Sequence, residues 1–576
     1  MDKEKGMRME YPRPQFVRTD WMSLNGVWDF AFDEEVYDQT INVPFVYEAK
    51  LSGIDKREIH DQVWYRRTFE IPESWRGKKI LLHFGAVDYA CQVFVNSKNV
   101  MRHVGGQSSF SVDITEDLEA RENELKLCVR DFHRELDIVR GKQFWKEESE
   151  SIFYTASMGI WQSVWLEPVS CEYIRQVHIT PLLDEKAVKF SYETEQAQEC
   201  VLETTVSFGG IEAGSFSVRL NHAKGEFAIR IDEETLGCWN TVEDLVWSPE
   251  NPRLFDVTFT LKKDGSTVDC VRSYFGMRKV SIENGKFLLN NRPYYQKLVL
   301  DQGFWPEGLL TAPSDEALIR DIQLAKEMGF NGVRKHQKVE DPRFLYHADR
   351  LGLLVWGEMA SGYRYSDRLI EDTVNEWMRE IERDYNHPCI VVWTALNESW
   401  GVLEVAHSRK QQNFCKAMYS LIKSLDGTRA VIDNDGWEHV ETDLLTIHDY
   451  EPEREVLMER YSSMERILRE QPGGRGLYAG AGRYRNEPVL VTEFGGISFQ
   501  KNTMEGWGYS AAVSEEDFVR RYRDVVQPLL ESEWVQGFCY TQLTDVEQEI
   551  NGLYTYDRNP KMDPEQIRRI NEGDAR

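Results

Sequence analysis

The chain lacks any apolar run that approaches the ~18 residues of a membrane span. Its N-terminus, Met1 to Phe16, is charged and proline-containing and has no apolar h-region. Both absences predict a cytoplasmic protein with no membrane partner. Cysteine is sparse: there are nine, an odd number, with no C-x-x-C pair and no Cys/His cluster at zinc spacing. This argues against a disulfide framework and points to reduced thiols that serve as small core residues. Positive charge is also short, with 69 Lys and Arg against 97 Asp and Glu, a formal net charge of −28. A field of that sign repels nucleic acid and anionic membranes and mildly disfavours anionic substrates. Its simplest use is solubility. There is no internal repeat and no low-complexity linker, so the domains are expected to pack closely.

What is present is a long chain of ordinary globular composition. Its 576 residues exceed one core and predict roughly three to five domains, fewer if one is a barrel. Residues from about 20 to 170 read as β. Leu125, Leu127 and Val129 alternate with charged neighbours, and Ile80 to Phe84, Cys91 to Asn96 and Gln162 to Val169 are similar short runs. Turn clusters between them indicate a sandwich or jelly roll. A second β segment spans about 171 to 279. In it Val257, Phe259 and Leu261 alternate with Thr258, Thr260 and Lys262 before the Asp264-Gly265 turn. Its length suits an immunoglobulin-like sandwich, and the pattern equally allows a small barrel.

Near Ser281 the character changes to alternating strands and helices. Eight strands are expected: Tyr294–Leu300, Asn331–His336, Leu353–Trp356, Ile390–Thr394, Ala430–Asp433, Leu444–His448, Val489–Thr492 and Gly537–Tyr540. Over roughly 300 residues this predicts a (β/α)8 TIM barrel. The expected fold class is therefore multidomain, β plus α/β, divided into a jelly roll over 1–170, an immunoglobulin-like β-sandwich over 171–279 and a barrel over 280–576.

Two glutamates follow buried strands. Glu398 lies just beyond Ile390–Thr394, and Glu493 ends Val489–Thr492. Barrels of this kind place their chemistry at the C-terminal ends of the strands. A glutamate there is, taken singly, more often an ion-pair partner. Two of them, on the fourth and seventh strands of one barrel, are the minimal equipment for cleaving a glycosidic bond. Trp393, Trp400 and Phe494 are expected to form the apolar walls that keep one carboxyl protonated, and Asn397 to bind a sugar hydroxyl.

The run Asn386-His387-Pro388-Cys389-Ile390 through Asn397-Glu398 resembles the acid/base signature of glycoside hydrolase family 2. Pro488 to Gly495 resembles its nucleophile segment. Leu24-Asn25-Gly26-Val27-Trp28, Trp64-Tyr65-Arg66-Arg67 and Gly159-Ile160-Trp161-Gln162 resemble its N-terminal sugar-binding domain. Trp247-Ser248-Pro249-Glu250-Asn251-Pro252 resembles its central sandwich. The resemblance implies that Glu398 is the general acid/base, that Glu493 is the nucleophile, and that configuration is retained. It implies no cofactor and no metal, since two carboxyls suffice. The partner is a carbohydrate or glycoconjugate substrate, and a homo-oligomer is expected because family members often assemble.

Further pocket candidates are Arg334 and His336, which end the second strand, and Asp301, Glu358, His448 and Asp449 at other strand ends, with Asp433, Asn434 and Asp435 ranked below them. Each carboxylate is equally readable as a rim ion pair. His336 follows Arg334 by two positions, where the family spacing is three. Tyr540 and Trp507 are candidate aromatic platforms, for which core packing is the plainer reading.

The family divides among β-galactosidases, β-glucuronidases and β-mannosidases. Its glucuronidases carry Asn-x-Lys upstream of a segment resembling Gly552 to Arg558, and here Glu549-Ile550-Asn551 stands there. With the cation absent, glucuronides are disfavoured. The Gly105 to Phe110 loop lacks the aspartate that the large metal-dependent galactosidases bring from their first domain. A neutral terminal sugar is expected, β-galactoside by default, with a furanoside or arabinoside as alternatives. A non-catalytic carbohydrate-binding protein on a hydrolase scaffold is the reading from a different class.

Overall fold

The computed structural model describes residues 8–238, 244–501 and 505–574. The first part is a jelly roll of two antiparallel sheets. One orders Met22–Ser23, Val164–Val169, Lys79–Phe84 and Phe110–Asp113; the other has six strands, with Gln62–Glu70 and Glu122–Arg130 at its centre. Leu125, Leu127 and Val129 are fully buried, while Glu122 and Arg130 are exposed, the alternation of a strand with one wet face. The second part is an immunoglobulin-like sandwich. Tyr173–Leu182, Ala187–Glu195 and Lys224–Arg230 face a sheet of Ile211–Arg219, Val201–Phe208, Phe255–Lys263 and Ser266–Phe275. Asp264 and Gly265 both take positive φ, +50° and +78°, the backbone that a two-residue hairpin demands.

The third part is a parallel barrel. Its strands are β1 (Gln296–Asp301), β2 (Gly332–Lys335), β3 (Leu354–Glu358), β4 (Ile390–Thr394), β5 (Ala430–Ile432), β6 (Leu445–Asp449), β7 (Val489–Gly495) and β8 (Val535–Thr541). The hydrogen-bonded order is β5-β4-β3-β2-β1-β8-β7-β6. The ladder thus runs around the barrel and opens at a single seam, between β5 and β6. Helices α1 (Asp315–Glu327), α2 (Pro342–Leu351), α3 (Asp367–Asp384) and α4 (Arg409–Leu425) follow the first four strands. Each starts where a side chain satisfies an orphan N–H. Ser314 accepts from Ala317, Asp341 from Arg343, Ser366 from Leu369 and Ser408 from Gln411.

The strict alternation expected from the sequence fails after β5, where no helix follows. Asp433 instead folds the chain back at once, accepting from the backbone N–H groups of Val440 and Glu441 and pairing with His439. Asp443 then covers the β5 edge, its carboxylate accepting from Val431 N–H at 2.9 Å. Two short helices, α5 (Arg454–Arg460) and α6 (Met464–Arg469), follow β6; α7 (Glu515–Glu531) joins β7 to β8, and α8 (Pro564–Asn571) ends the barrel. No helix among the described residues is long and apolar enough to cross a membrane.

Candidate active site

Beyond β4 the chain turns through Asn397, Glu398 and Ser399. Glu398 and Ser399 hold φ of +49° and +56°, a left-handed backbone that costs side-chain-bearing residues of order 1–3 kcal/mol each. The loop after β5 fixes it. Glu398 N–H donates to Asp435 O at 3.0 Å, and Ser399 N–H to Asn434 Oδ1 at 2.8 Å. The strained turn aims the Glu398 carboxylate over the barrel mouth. Across from it, His448 and Glu493 are register partners on β6 and β7, so their side chains share the inward face.

The three groups converge. His448 Nδ1 lies 2.8 Å from Glu398 Oε1 and 3.5 Å from Glu493 Oε2. A carboxylate oxygen of Glu398 lies within 4.8 Å of one of Glu493. Carboxyl groups about 5–5.5 Å apart form a covalent glycosyl intermediate, whereas roughly 6.5–9.5 Å leaves room for a water and inversion. The approach of the nearest oxygens fits the shorter of these spacings.

Arg334, fully buried at the inward position of β2, organises the floor. It donates to Glu358 (2.8 Å), Asn397 Oδ1 (2.8 Å), Glu493 Oε1 (3.0 Å) and Thr492 O (3.0 Å), and lies 2.6 Å from Asp435. Tyr450 OH donates to the other oxygen of Glu493 at 2.7 Å. Burial alone would raise the Glu493 pKa. The charges of His448, Arg334 and His336, with the Tyr450 hydrogen bond, outweigh it and bring the pKa down to about 2. Glu493 is therefore an anion throughout the neutral range. Glu398 is the more open of the pair, with 14% of its side chain exposed against 6% for Glu493.

Burial likewise pushes His448 toward its neutral form, but Glu493, Asp435 and Glu398 override it and hold its pKa at about 10. The sign follows from linkage. A histidine titrating near 6.5 when unfolded and near 10 when folded stabilises the protein fully below about pH 6.5 and loses that contribution as pH rises through about 10. The melting temperature of the wild type is therefore expected to fall toward that of His448→Asn between pH 7 and 10. A gap that stays constant across that range would contradict the imidazolium assignment.

Of the other residues singled out in the sequence, Asn397 stands at the mouth with its Nδ2 unpaired among the described residues, open to a hydroxyl. His336 is buried beside Arg334 and Glu358. Glu358 is fully buried and grips Arg334, so it supports the floor rather than meeting substrate. Asp301 faces away from the mouth. It pairs at 2.7 Å with Lys335, whose ammonium sits over the Phe344 ring of α2. Asp449 also faces outward, bound to Arg460 and, at 2.9 Å, to Tyr461. Tyr540 is no platform: its ring packs between Phe494 of β7 and Tyr522 of α7. Trp393 and Phe494 are not pocket walls either. Trp393 stacks edge-on against Trp377 of α3 and donates to Asp426, and Phe494 packs on Phe538.

Trp507 does reach the rim. It packs against Tyr509, which stacks on Tyr450 with ring centroids 3.4 Å apart, and its Nε1 donates to Ser151 O of the first domain. Sequence reasoning missed Tyr450, and with it Tyr509 and Tyr363. The signal for Tyr450 was its place two residues after His448, on the same face of the strand's continuation.

Two groups of side chains among the described residues have spacing suited to a metal ion. In Glu398, His448 and Glu493, both imidazole nitrogens already face carboxylate oxygens, Nε2 lying 2.9 Å from Asp435. In Asp349, His387 and Cys389, the aspartate is engaged by His387 at 2.6 Å and by Tyr274 OH at 2.8 Å, which ties the sandwich to the barrel. Neither presents a free donor set.

Known proteins share this architecture. A β-galactosidase from Thermoanaerobacter pseudethanolicus is 27% identical over 425 residues, which cover 71% of this chain and 54% of that protein. The chain thus spans about half the length of the first relatives it matches. A β-D-glucuronidase structure from Dictyoglomus thermophilum superposes with a TM-score of 0.79 at 19% identity, and a β-galacturonidase structure from Eisenbergiella tayi with 0.76 at 21%; each covers 98% of both chains. At those identities the likeness establishes fold. Family descriptions go further. "Glycosyl hydrolases family 2, sugar binding domain" matches residues 31–166, "Glycosyl hydrolases family 2" matches 172–278, and "Glycosyl hydrolases family 2, TIM barrel domain" matches 280–572. With three consecutive domains matched in that order, and the last alone spanning half its length, the chain belongs to glycosyl hydrolases family 2.

Proposed function

We propose that the protein is a retaining, exo-acting β-glycoside hydrolase that releases a neutral terminal sugar through a covalent intermediate. The observation that carries this reading is the close approach of two carboxylates, one locked as an anion and the other more open. Glu493 attacks the anomeric carbon while Glu398 delivers a proton to the glycosidic oxygen, and the aglycone departs. Glu398, now a carboxylate, takes a proton from water, which attacks the same carbon and frees Glu493. Arg334 and Tyr450 hold Glu493 in line for attack, and the unpaired Nδ2 of Asn397 is available to a sugar hydroxyl.

Support for a neutral sugar comes from Glu549, buried and held by Tyr154 OH at 2.6 Å and Asn551 at 3.1 Å. Burial raises the Tyr509 phenol pKa, and Glu398, Glu493 and Glu549 add to it, so the charges of all three carboxylates act on one hydroxyl. A further carboxylate on the substrate would meet like charge there. β-Galactoside is the default. A second reading, a β-uronide, is favoured by Lys142. This lysine is buried, has no carboxylate partner among the described residues, and lies 5.8 Å from the centre of the Tyr154 ring. The names of the two structural neighbours agree with it. A panel of 4-nitrophenyl β-glycosides decides, including galactoside, glucuronide, galacturonide, mannoside and arabinofuranoside. Preference for a uronide overturns the neutral reading, and binding without any turnover favours a non-catalytic role.

Glu398→Gln is expected to lower kcat by about 10²–10⁴-fold on poor leaving groups. Dinitrophenyl glycosides need no proton to depart, so their first step should survive and glycosyl-enzyme should accumulate. Equal loss on both substrates, measured by burst kinetics, would remove Glu398 from the acid/base role.

A further inference from the structure

The rim of the site is built from two domains. A segment of the first domain, residues 139–154, crosses the barrel mouth. At one end Gly141 O accepts from Tyr363 OH at 2.7 Å, beyond β3. At the other, Ser151 O accepts from Trp507 Nε1 at 3.0 Å and Phe153 O from Gln548 Nε2 at 2.8 Å, beyond β7 and β8. The segment delivers Phe144, Trp145 and Phe153 against Tyr363 and Trp400 of the barrel, and the five rings form one cluster.

Phe144, Phe153 and Tyr363 are buried and form the backing of a wall. Trp145 and Trp400 are only half-buried. The rings meet at open angles: Trp145 to Phe153 at 4.9 Å and 62°, Phe153 to Tyr363 at 5.1 Å and 84°, Tyr363 to Trp400 at 5.2 Å and 65°. Phe144 stacks nearly parallel on Phe153, at 5.6 Å and 10°, so Trp145 and Trp400 are the rings presented outward, and another ring adds well to such partly open aromatics. The wall adjoins Glu398. Trp400 follows it by two residues, and Glu398 is among the charges that act on the buried Tyr363 hydroxyl. The group that protonates the leaving oxygen must lie beside the leaving group.

The wall also offers little to a sugar. Tyr363 OH is already engaged, and Trp400 Nε1, which has no hydrogen-bond partner among the described residues, is a lone donor shut off from solvent. A saccharide seated there would bury hydroxyls without partners, which is unfavourable. A flat apolar ring would not.

We infer that Trp145 and Trp400, backed by the three buried rings, form a leaving-group subsite for a planar aromatic aglycone, an inference that rests on the hydrolase reading above. The test compares kcat/KM for the 4-nitrophenyl and methyl β-glycosides of the preferred sugar in wild type, Trp145→Ala, Trp400→Ala and Trp400→Phe. The intrinsic difference in leaving-group reactivity cancels when variant ratios are divided by the wild-type ratio. The aryl-to-methyl ratio is expected to fall about 3–10-fold in each alanine variant, the range that one aromatic contact supplies, and to recover in Trp400→Phe. Losses of equal factor on both glycosides would overturn the inference while leaving the hydrolase reading intact. A wild type that cleaves neither glycoside, nor any other in the panel, overturns both.

Discussion

Glu493→Gln is expected to reduce turnover by about 10⁴-fold or more, the scale on which loss of a covalent nucleophile acts. The amide fills the same space and its oxygen can still accept one hydrogen bond, but it carries no charge to attack the anomeric carbon. The companion variant Glu493→Ala gives the sharper result. It opens room on the floor, bordered by the cations of Arg334 and His448. Azide added to that variant should enter from the vacated side and attack the anomeric carbon. The product would be an α-glycosyl azide, inverted relative to the β substrate. Retention of more than about 1% of wild-type activity in the glutamine variant, measured against a freshly resolved contaminant control, would remove Glu493 from the nucleophile's role.

The largest expected effect on stability comes from Arg334→Met. The guanidinium makes ion pairs with Glu358, Asp435 and Glu493, all buried. Removing one member of a buried network leaves uncompensated charge and costs about 3–5 kcal/mol. Methionine leaves three carboxylates facing two histidines. The protonation of Glu493 becomes easier at the same time, because Arg334 is one of the charges that depress its pKa. Chemical denaturation should show the loss of stability. The acid limb of kcat/KM should move to higher pH, so that activity at pH 5 falls further than activity at pH 7. Arg334→Lys keeps the charge, so its acid limb should stay nearer the wild type, while its stability falls because one ammonium cannot reproduce a planar fork with this many acceptors. An unmoved acid limb in Arg334→Met would show that His448 alone sets the nucleophile.

The barrel was legible because its strands are continuous apolar runs separated by capped helices. Ser314, Asp341 and Gly352 announce their helix ends in the sequence, and all are found there. The same property hid the pocket walls. Strands of a parallel barrel are buried on both faces, so hydrophobicity carries no information about which residues point inward. Trp393 and Phe494 read as pocket walls from their proximity to the glutamates, but Trp393 packs on Trp377 of α3 and Phe494 on Phe538 of β8; Tyr540, for which core packing is the plainer reading, packs on Tyr522 of α7. Asp301 and Asp449 turned outward for a related reason. Their partners, Lys335 on the neighbouring strand and Arg460 with Tyr461 at the end of α5, are not identifiable as partners from spacing. The expected helix after β5 failed because Asp433 can satisfy three neighbours locally, which a period of apolar residues does not reveal. Of the aromatic wall only Trp400 was legible, because the wall joins residues more than two hundred positions apart.

The bridge of residues 139–154 across the mouth divides the labour of the protein along its sequence. On the proposed reading, the atoms that make and break bonds belong to one module, and part of the frame around the departing group belongs to another. Recombination between relatives that exchanged only the first module would therefore transmit a preference for what is attached to the sugar without touching the reaction itself. Lineages of such enzymes can diversify in what they dismantle while their chemical apparatus stays still.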